Sequence, residues 1–301
     1  MPFIVKMLLG AVFAVSAVAK LIAIDNFEIY VYSFGWLSLP AAFIISRLLI
    51  AVELLIAIGL LSNLCSRLTT VSTLLALLAF SLFLGIAALG GRTDNCHCFG
   101  DLIELNPLHS LIKNALLILM TLVAMKAREW SWHPWWWLWP IVAAVPVATV
   151  FIVSPPDNWM FRTEHEPCNQ AMLQRHLEQS DGLLRDIAQG DKKLLAFYSP
   201  SCHFCQLAAT KIGTLQQRYG IADTLFVNIF PVTDTSRYDT FYLKTQSPRY
   251  RQVNLPPDTF LHITYGQFPL ILLMEGDSIQ ATYNYRTIDE KAIVWEMKNE
   301  K

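Results

Sequence analysis

Charged residues are scarce in this sequence. Asp, Glu, Lys and Arg account for 16% of its 301 residues, hydrophobic residues account for 54%, and the mean hydropathy is +0.39. A soluble globular chain carries about 25% charged residues, so the deficit indicates that lipid is part of the solvent. The net charge of −1 provides no basic field, which excludes nucleic acid as the expected partner.

Cysteine is also infrequent, but its spacing is informative. Four of the six cysteines form two close pairs, and Cys65 and Cys168 are single. A chain of this length can build a core without disulfide staples, so the pattern indicates redox or metal chemistry. The sequence assigns no role to the two single cysteines.

Long apolar runs are concentrated in the first half of the chain. A membrane-spanning helix needs about 20 mainly apolar residues. Five segments meet this need or nearly so: 3–24, 38–61, 67–89, 107–125 and 135–153. The residues from Asp157 onward have ordinary soluble character. The predicted fold is therefore an all-α transmembrane bundle of about five spans, followed by a soluble domain.

Basic residues near the ends of spans predict the orientation, because Lys and Arg favour the cytoplasmic side. Four of them fall on one side: Lys6, Arg67, Lys126 and Arg128. The N terminus is then cytoplasmic, and an odd number of spans leaves loop 90–106 and the soluble domain outside. An alternative interpretation treats Met7–Val18 and the small residues after it as a signal peptide cleaved near residue 19, which leaves the remaining topology unchanged.

The first cysteine pair lies in the run Cys96-His97-Cys98-Phe99-Gly100. Two thiols at this spacing form a disulfide only if a turn brings their Cα atoms within about 7 Å, and the small ring suits transient exchange better than permanent cross-linking. A Cys-x-Cys pair also binds metal, and His97 between the sulfurs strengthens that alternative. Spacing alone leaves both interpretations open.

The N-terminal part resembles a known family on these residues. Four spans with Cys-x-Cys-Phe-Gly just before the fourth are similar to the MauE branch of the DoxX-like membrane proteins, although Asn95 stands where a Gly often precedes the motif. The resemblance implies disulfide formation or redox maintenance in a bacterial inner membrane, with the C-terminal domain periplasmic. The predicted domains are 1–130 (DoxX/MauE-like), 131–155 (fifth span), 156–171 (linker) and 172–301 (soluble).

Ionisable residues inside the predicted spans are candidates for function, because each costs about 3 kcal/mol at the centre of a bilayer. Lys20, Arg47 and Lys113 fall in the outer thirds of their helices and are expected to form a positive cluster beneath Cys96. Such a cluster lowers thiol pKa values or holds a quinone-like anion. Snorkelling to the surface is the alternative for the two lysines. Glu53, about 20 Å into the layer, is expected to pair with a basic residue.

The second cysteine pair, in Cys202-His203-Phe204-Cys205, follows a predicted buried strand over 193–198 and precedes a predicted helix over 206–219. Cys202 therefore lies at a helix N terminus, which favours the thiolate, and Cys205 can resolve a mixed disulfide. His203 adds positive character beside the leading thiol. Half of a zinc site is the alternative, but no second ligand pair with suitable spacing follows.

The order of predicted elements over about 172–298 resembles the thioredoxin fold. Predicted strands at 224–232, 270–274 and 278–285 and helices at 235–246 and 289–298 follow the cysteine pair. The resemblance implies a cis Phe268–Pro269 bond facing the cysteines. Ser201 stands where thioredoxins carry Trp, and Ala196 where they bury an acid, so efficient thioredoxin-like reduction is not expected.

The predicted function is a membrane thiol–disulfide oxidoreductase. Cys202 is the nucleophile and Cys205 the resolver toward extracytoplasmic client proteins, while Cys96 and Cys98 exchange electrons with the membrane. No covalently bound cofactor and no resident metal are expected, a quinone is the candidate electron carrier, and oxidation or isomerisation is favoured over reduction. The rivals are a copper or zinc handling protein using Cys96, His97 and Cys98, and a docking module without turnover.

Overall fold

The computed structural model describes residues 2–63, 66–91, 95–101, 106–126, 139–156, 167–179 and 192–298. The chain divides into two compact units. The first, here the membrane unit, comprises Met1–Val31 and Ala41–Pro156, and the second, the soluble unit, comprises Tyr32–Pro40 and Asp157–Lys301.

The membrane unit is helical. Its helices are α1 (Pro2–Ile22), α2 (Ile24–Tyr32), α3 (Leu39–Leu61), α4 (Ser66–Leu89), α5 (Pro107–Met125) and α6 (Trp139–Val153), with one short strand, β1 (Cys98–Asp101). Pro107 occupies the first turn of α5, where its missing N–H costs no hydrogen bond, and the Asn106 side chain caps that helix by accepting from His109 N at 2.8 Å.

Four helices are long and apolar enough to cross a bilayer: Phe3–Ile22, Leu39–Leu61, Arg67–Leu89 and Pro107–Met125. They match the first four predicted spans. The fifth predicted span appears as α6, which has 15 residues, whereas positions 135–138 lie outside the described residues. Length alone therefore supports four spans in the described part of the chain.

The spanning helices pack closely where small residues allow it. Gly59 of α3 faces α4, and a Cβ at this position would lie 2.7 Å from Cγ2 of Thr69. Buried apolar side chains from α1, α3, α4 and α5, among them Leu9 and Leu117, form one cluster. Leu82 and Leu116 are exposed on the outer faces, as expected for helices surrounded by lipid.

The soluble unit is an α/β fold around one five-stranded sheet. Its elements are α7 (Gln170–Gln179), β2 (Lys193–Phe197), α8 (His203–Tyr219), a 3-10 turn (Asp223–Leu225), β3 (Phe226–Pro231), α9 (Thr235–Thr245), β4 (Arg251–Leu255), α10 (Pro257–Thr264), β5 (Leu270–Glu275), β6 (Ser278–Tyr283) and α11 (Glu290–Lys298).

The strand order is β4-β3-β2-β5-β6, with β2, β3 and β4 parallel and the hairpin β5-β6 antiparallel to them. Along the chain, a βα unit with Cys-x-x-Cys is followed by a parallel strand and then by a closing hairpin and helix. This order of elements is that of a thioredoxin-like domain. The predicted fold class is thereby confirmed. β4 and α10 were missed, and for β4 the reason is that this edge strand has only two buried residues among its five and no clear alternation over its length.

The core of the soluble unit holds the central strands in place. Leu195 and Phe197 of β2, Ile229 of β3 and Leu272 of β5 are at most 1% exposed and form one cluster with Phe260 of α10. Burial of each such side chain contributes about 1.5–3 kcal/mol relative to its exposed state. The C-terminal end of β2 is therefore a rigid platform for the turn that follows.

Candidate active sites

Cys202 lies at the N terminus of α8, as predicted. β2 ends at Phe197, Cys202 N donates to Ser199 O at 3.0 Å, and Cys202 is the N-cap with an extended backbone (φ −81°, ψ 121°). This position places the sulfur beside the free N–H groups of the first helical turn. Such groups and the helix dipole favour a negative charge on the sulfur.

The two thiols of this pair differ strongly in acidity. A hydrogen bond from the Cys205 thiol, with smaller contributions from the N–H groups of Cys205 and Phe204, outweighs partial burial and lowers the pKa of Cys202 to about 6. Burial, and then the neighbouring Cys202, raise the pKa of Cys205 far above its usual range, although Ser199 N donates to its sulfur at 3.3 Å. At neutral pH the pair is a thiolate at Cys202 and a thiol at Cys205.

Pro269 lies beside this pair, as the thioredoxin resemblance implied. The Phe268–Pro269 bond is cis, and Cys202 Sγ is 4.0 Å from Phe268 O. The Phe268 ring packs against Phe260 in the core. The carbonyl next to Cys202 therefore belongs to a backbone segment that is anchored in the hydrophobic core.

Two residues that support the site escaped the sequence analysis. The exposed Phe204 ring stacks on Tyr285 with 4.5 Å between ring centroids, and Tyr285 O accepts from Lys211 Nζ at 2.8 Å. Lys211 is 1% exposed although it lies in α8. A lysine on the apolar face of an amphipathic helix was the available signal. His203 is exposed, with its ring 5.8 Å from that of Phe204.

The departures from the thioredoxin pattern have clear positions. Ala196 is buried in β2, so this strand position carries no buried acid, and Ser201 is exposed in the turn before Cys202. Cys168 packs against the core cluster, and burial raises its pKa to about 11. Cys65 lies outside the described residues.

Cys96 and Cys98 form a disulfide whose sulfurs are buried in the membrane unit. Their Cα atoms are 5.4 Å apart, which confirms that a turn brings them together. The turn uses positive φ at His97 (49°) and Gly100 (54°). Asn95, which replaces the usual Gly, accepts from His97 N at 3.1 Å and stabilises this turn.

Hydroxyl groups from two spanning helices hold this pair. Ser110 Oγ of α5 is 3.0 Å from Cys96 Sγ and 3.4 Å from Cys98 Sγ, and Ser16 Oγ of α1 donates to Cys98 O at 2.8 Å. A disulfide sulfur has no hydrogen, so the Ser110 hydroxyl is the donor. The sequence analysis missed both serines, whose signal was a buried hydroxyl inside an apolar span.

The intramembrane charges are arranged differently from the expected cluster of three. Lys20 Nζ is 2.5 Å from Glu53 Oε1, so Glu53 does pair with a basic residue, and Lys113 Nζ lies 4.7 Å from the Phe99 ring centroid. Arg47 is not part of this group. Its guanidinium pairs with Glu28 of α2 at 2.9 Å, because that carboxylate, expected in a loop, is buried in a helix.

Lys20 and Lys113 line one cavity together with Glu53. The cavity has a volume of about 370 Å³ and lies among α1, α3, α4 and α5, and Phe99, the residue after Cys98, forms part of its wall. Across the described ranges, no group of three or more His, Cys, Asp or Glu side chains is arranged to hold a metal ion.

Comparison with known proteins confirms the resemblance of the N-terminal part. Residues 1–127 match the family model described as methylamine utilisation protein MauE. A protein named TlpB from Flavobacterium psychrophilum is 25% identical over 274 aligned positions, which cover 72% of this chain and 73% of that protein.

Two solved structures are similar to the soluble unit. One is the thioredoxin domain of a thiol-disulfide oxidoreductase from Bacteroides vulgatus (16% identity, TM-score 0.31, 38% of this chain and 84% of that one). The other is a secreted Mycobacterium tuberculosis disulfide oxidoreductase homologous to E. coli DsbE. It has 16% identity and a TM-score of 0.30, and the match covers 37% of this chain and 84% of that one. At these scores the thioredoxin-like assignment rests on the strand order and connectivity given above.

Proposed function

We propose that this chain is a membrane thiol–disulfide oxidoreductase that exchanges disulfides with client proteins outside the cytoplasm. The observation that carries the proposal is the asymmetric pair at the start of α8. Cys202 is partly exposed with a pKa of about 6, and Cys205 is buried and protonated directly behind it. Thiol–disulfide exchange needs an accessible thiolate to attack and a second thiol to resolve.

The proposed reaction oxidises the client. A client thiolate attacks Cys202 in the Cys202–Cys205 disulfide, Cys205 leaves as the thiol, and the second client thiolate attacks the client sulfur of the mixed disulfide and releases Cys202. The client gains a disulfide, and the enzyme pair gains two electrons and two protons. Cys202 then attacks the Cys96–Cys98 disulfide, and Cys205 resolves that intermediate and leaves Cys96 and Cys98 as thiols.

The relay between the pairs requires a change at the second site. Cys96 and Cys98 are 0% and 1% exposed, so an attacking thiolate has no approach to either sulfur in this arrangement. The turn that carries them is held by three hydrogen bonds: Asn95 Oδ1 accepts from His97 N, Ser16 donates to Cys98 O, and Ser110 donates to Cys96 Sγ. We infer that these bonds break when the turn opens during exchange, with His97 moving together with the two cysteines.

The proposed location follows from the basic residues at the ends of the spans. Lys6 is in α1, Arg67 is in the first turn of α4 and Lys126 is the C-cap of α5, and the side that they share is favoured as the cytoplasmic one. The proposal counts the shorter apolar helix α6 as a fifth span, and it therefore places the N terminus in the cytoplasm and both cysteine pairs on the periplasmic side of a bacterial inner membrane. The partners are the lipid bilayer and client proteins with thiols or disulfides.

Thiol trapping tests the relay. Membranes containing wild type, Cys205→Ser or Cys98→Ser protein are acid-quenched and treated with a mass-shifting alkylator, with Cys168→Ser as the matched control. We expect Cys205→Ser, which lacks the resolving thiol, to accumulate a mixed disulfide between Cys202 and Cys96 or Cys98 that reducing agent removes. Cys98→Ser cannot form the disulfide that Cys202 attacks, so it should accumulate none. Pairs whose redox states vary independently would contradict the relay, and stoichiometric metal that protects Cys96 and Cys98 would support the metal-handling rival.

A further inference from the structure

The cavity in the membrane unit combines an apolar wall with a few polar groups. Volumes of about 300–1,000 Å³ are typical of small-molecule sites, and this cavity has about 370 Å³. Its aromatic lining consists of Phe13, Phe80, Phe83 and Phe99. Its polar groups come from Ser16, Lys20, Glu53, Lys113 and Asn114. All of these residues except Phe99 belong to spanning helices, so the site lies at the depth of the lipid.

Asn114 carries a buried acceptor without a partner. The residue is 1% exposed, its Nδ2 donates to Ser81 Oγ at 3.3 Å, and its Oδ1 has no hydrogen-bond partner within the described part of the chain. Ser81 Oγ donates to Leu77 O, so it must accept from Asn114, which fixes the orientation of the amide. An unsatisfied buried acceptor is destabilising, and a ligand with an O–H group would provide the missing hydrogen bond.

Lys113 is the complementary donor. Its ammonium lies 4.7 Å from the Phe99 ring centroid, and the residues that the structure describes provide it with no ion pair or hydrogen bond. Lys20, by contrast, is engaged by Glu53 at 2.5 Å and by Ser16 at 2.9 Å. Lys113 is therefore the cation in this cavity that is available to a ligand.

We propose that this cavity binds the head group of a lipid-soluble quinone. Lys113 Nζ donates to one quinone carbonyl, the phenylalanine rings contact the planar ring, and Asn114 Oδ1 accepts from a hydroxyl of the reduced form. A phospholipid acyl chain fits the apolar wall but leaves Lys113 and Asn114 without partners. A quinone reaches the site from the bilayer, satisfies Lys113 through a carbonyl when oxidised, and satisfies Asn114 through a hydroxyl when reduced.

The inference rests on the proposed function only in that Cys96 and Cys98 must cycle between thiols and disulfide. Two thiols release two electrons and two protons when their S–S bond forms, and the quinone takes up both electrons and both protons to become a quinol. Phe99 is the covalent neighbour of Cys98 and a wall of the cavity, so the donor pair and the acceptor site share one short segment.

The binding test uses the full-length protein in detergent with decylubiquinone as the probe. Variants Lys113→Met and Asn114→Leu are compared with wild type and with Lys126→Met, a matched control at the C-cap of the same helix and outside the cavity. Loss of one charge-assisted hydrogen bond predicts binding weakened about tenfold or more in Lys113→Met. Unchanged binding in both cavity variants, or none in wild type, overturns the proposal.

Two further readouts separate misfolding and other ligands from the proposed site. Melting temperatures show whether each variant is folded, and an azido-quinone with peptide mapping is expected to label α4 or α5. If native mass spectrometry finds a phospholipid that decylubiquinone fails to displace, the cavity is a lipid site and the proposal is wrong.

A Cys202→Ser/Cys205→Ser variant separates electron transfer to the quinone from the proposed exchange between the two cysteine pairs. Its reduced Cys96 and Cys98 are expected to reduce decylubiquinone even if the exchange between the pairs fails. A variant that binds the quinone but transfers no electrons to it would contradict the electron-acceptor role.

Discussion

Replacing Cys205 with alanine is expected to raise the pKa of Cys202, because the largest cause of the lowered pKa is the hydrogen bond from the Cys205 thiol. With a pKa of about 6, Cys202 is about 90% thiolate at pH 7, whereas a thiol with an ordinary pKa of about 8.5 is about 3% thiolate. Removal of the donor leaves the N–H groups of the first helical turn in place. The pKa should therefore rise by at least about one unit without returning fully to the ordinary value.

Cys205→Ser is the matched control for this change. Its hydroxyl can still donate to the Cys202 thiolate, so the pKa of Cys202 is expected to stay closer to that of wild type than in Cys205→Ala. The comparison separates the hydrogen bond from the effect of removing the second sulfur, which both variants share.

The assay is the rate of alkylation of Cys202 by iodoacetamide between pH 4.5 and 9.5, measured on reduced protein by intact mass. The wild-type rate should follow a titration with its midpoint near the pKa of about 6, since the thiolate is the reactive species. Because the pKa of Cys202 is lowered, the alkylation rate should stay high as the pH falls to about 6 and should decline below that pH. A wild-type midpoint near 8.5, or equal midpoints in the alanine and serine variants, would refute the reasoning.

Three other predictions concern stability and access. Cys168, whose pKa burial raises to about 11, should resist alkylation at pH 8 in folded protein and react after denaturation. Glu53→Ala should destabilise the membrane unit by about 3 kcal/mol, because it leaves the Lys20 ammonium buried and unpaired, and Lys20→Met/Glu53→Leu should recover most of the loss in detergent unfolding assays. Gly100→Ala should lower the yield of folded, disulfide-bonded protein, since the new Cβ would overlap the backbone of α1. Gly91→Ala is the control, because Gly91 has a similar φ but open space around it, and its effect should be smaller. Equal yields of the two variants would contradict this prediction.

Much of the fold could be predicted from the sequence because the signals were local. Uninterrupted apolar runs have the length that a bilayer requires, and four of the five became spanning helices. A buried strand, a cysteine pair and an amphipathic helix follow in direct succession, so Cys202 could be assigned to a helix N terminus without tertiary information. The weak alternation of Arg251–Leu255 gave no such signal, and this edge strand was missed.

The intramembrane cluster was only partly predictable, because the depth of a residue in a helix does not reveal the direction of its side chain. Lys20, Arg47 and Lys113 have similar predicted depths, yet two of them line the cavity and Arg47 pairs with Glu28 instead. A helix turns by about 100° per residue, so an uncertainty of one or two residues in register changes the face completely. The partner of Arg47 was missed for a related reason, since Glu28 lies in α2, which was expected to be loop.

Thiol–disulfide exchange needs one sulfur that attacks and one that is displaced, and each cysteine pair is suited to one of these two roles. An attacking sulfur must be an accessible thiolate, and Cys202 meets this condition through its position and its pKa of about 6. A sulfur that is displaced must be stabilised as charge develops on it, and the Ser110 hydroxyl, 3.0 Å from Cys96 and 3.4 Å from Cys98, can donate to such a charge. The shorter distance favours Cys96 as the leaving thiolate and Cys98 as the sulfur under attack. The proposed relay therefore runs from Cys202 to Cys98, because the reverse attack would have to start from a buried thiol.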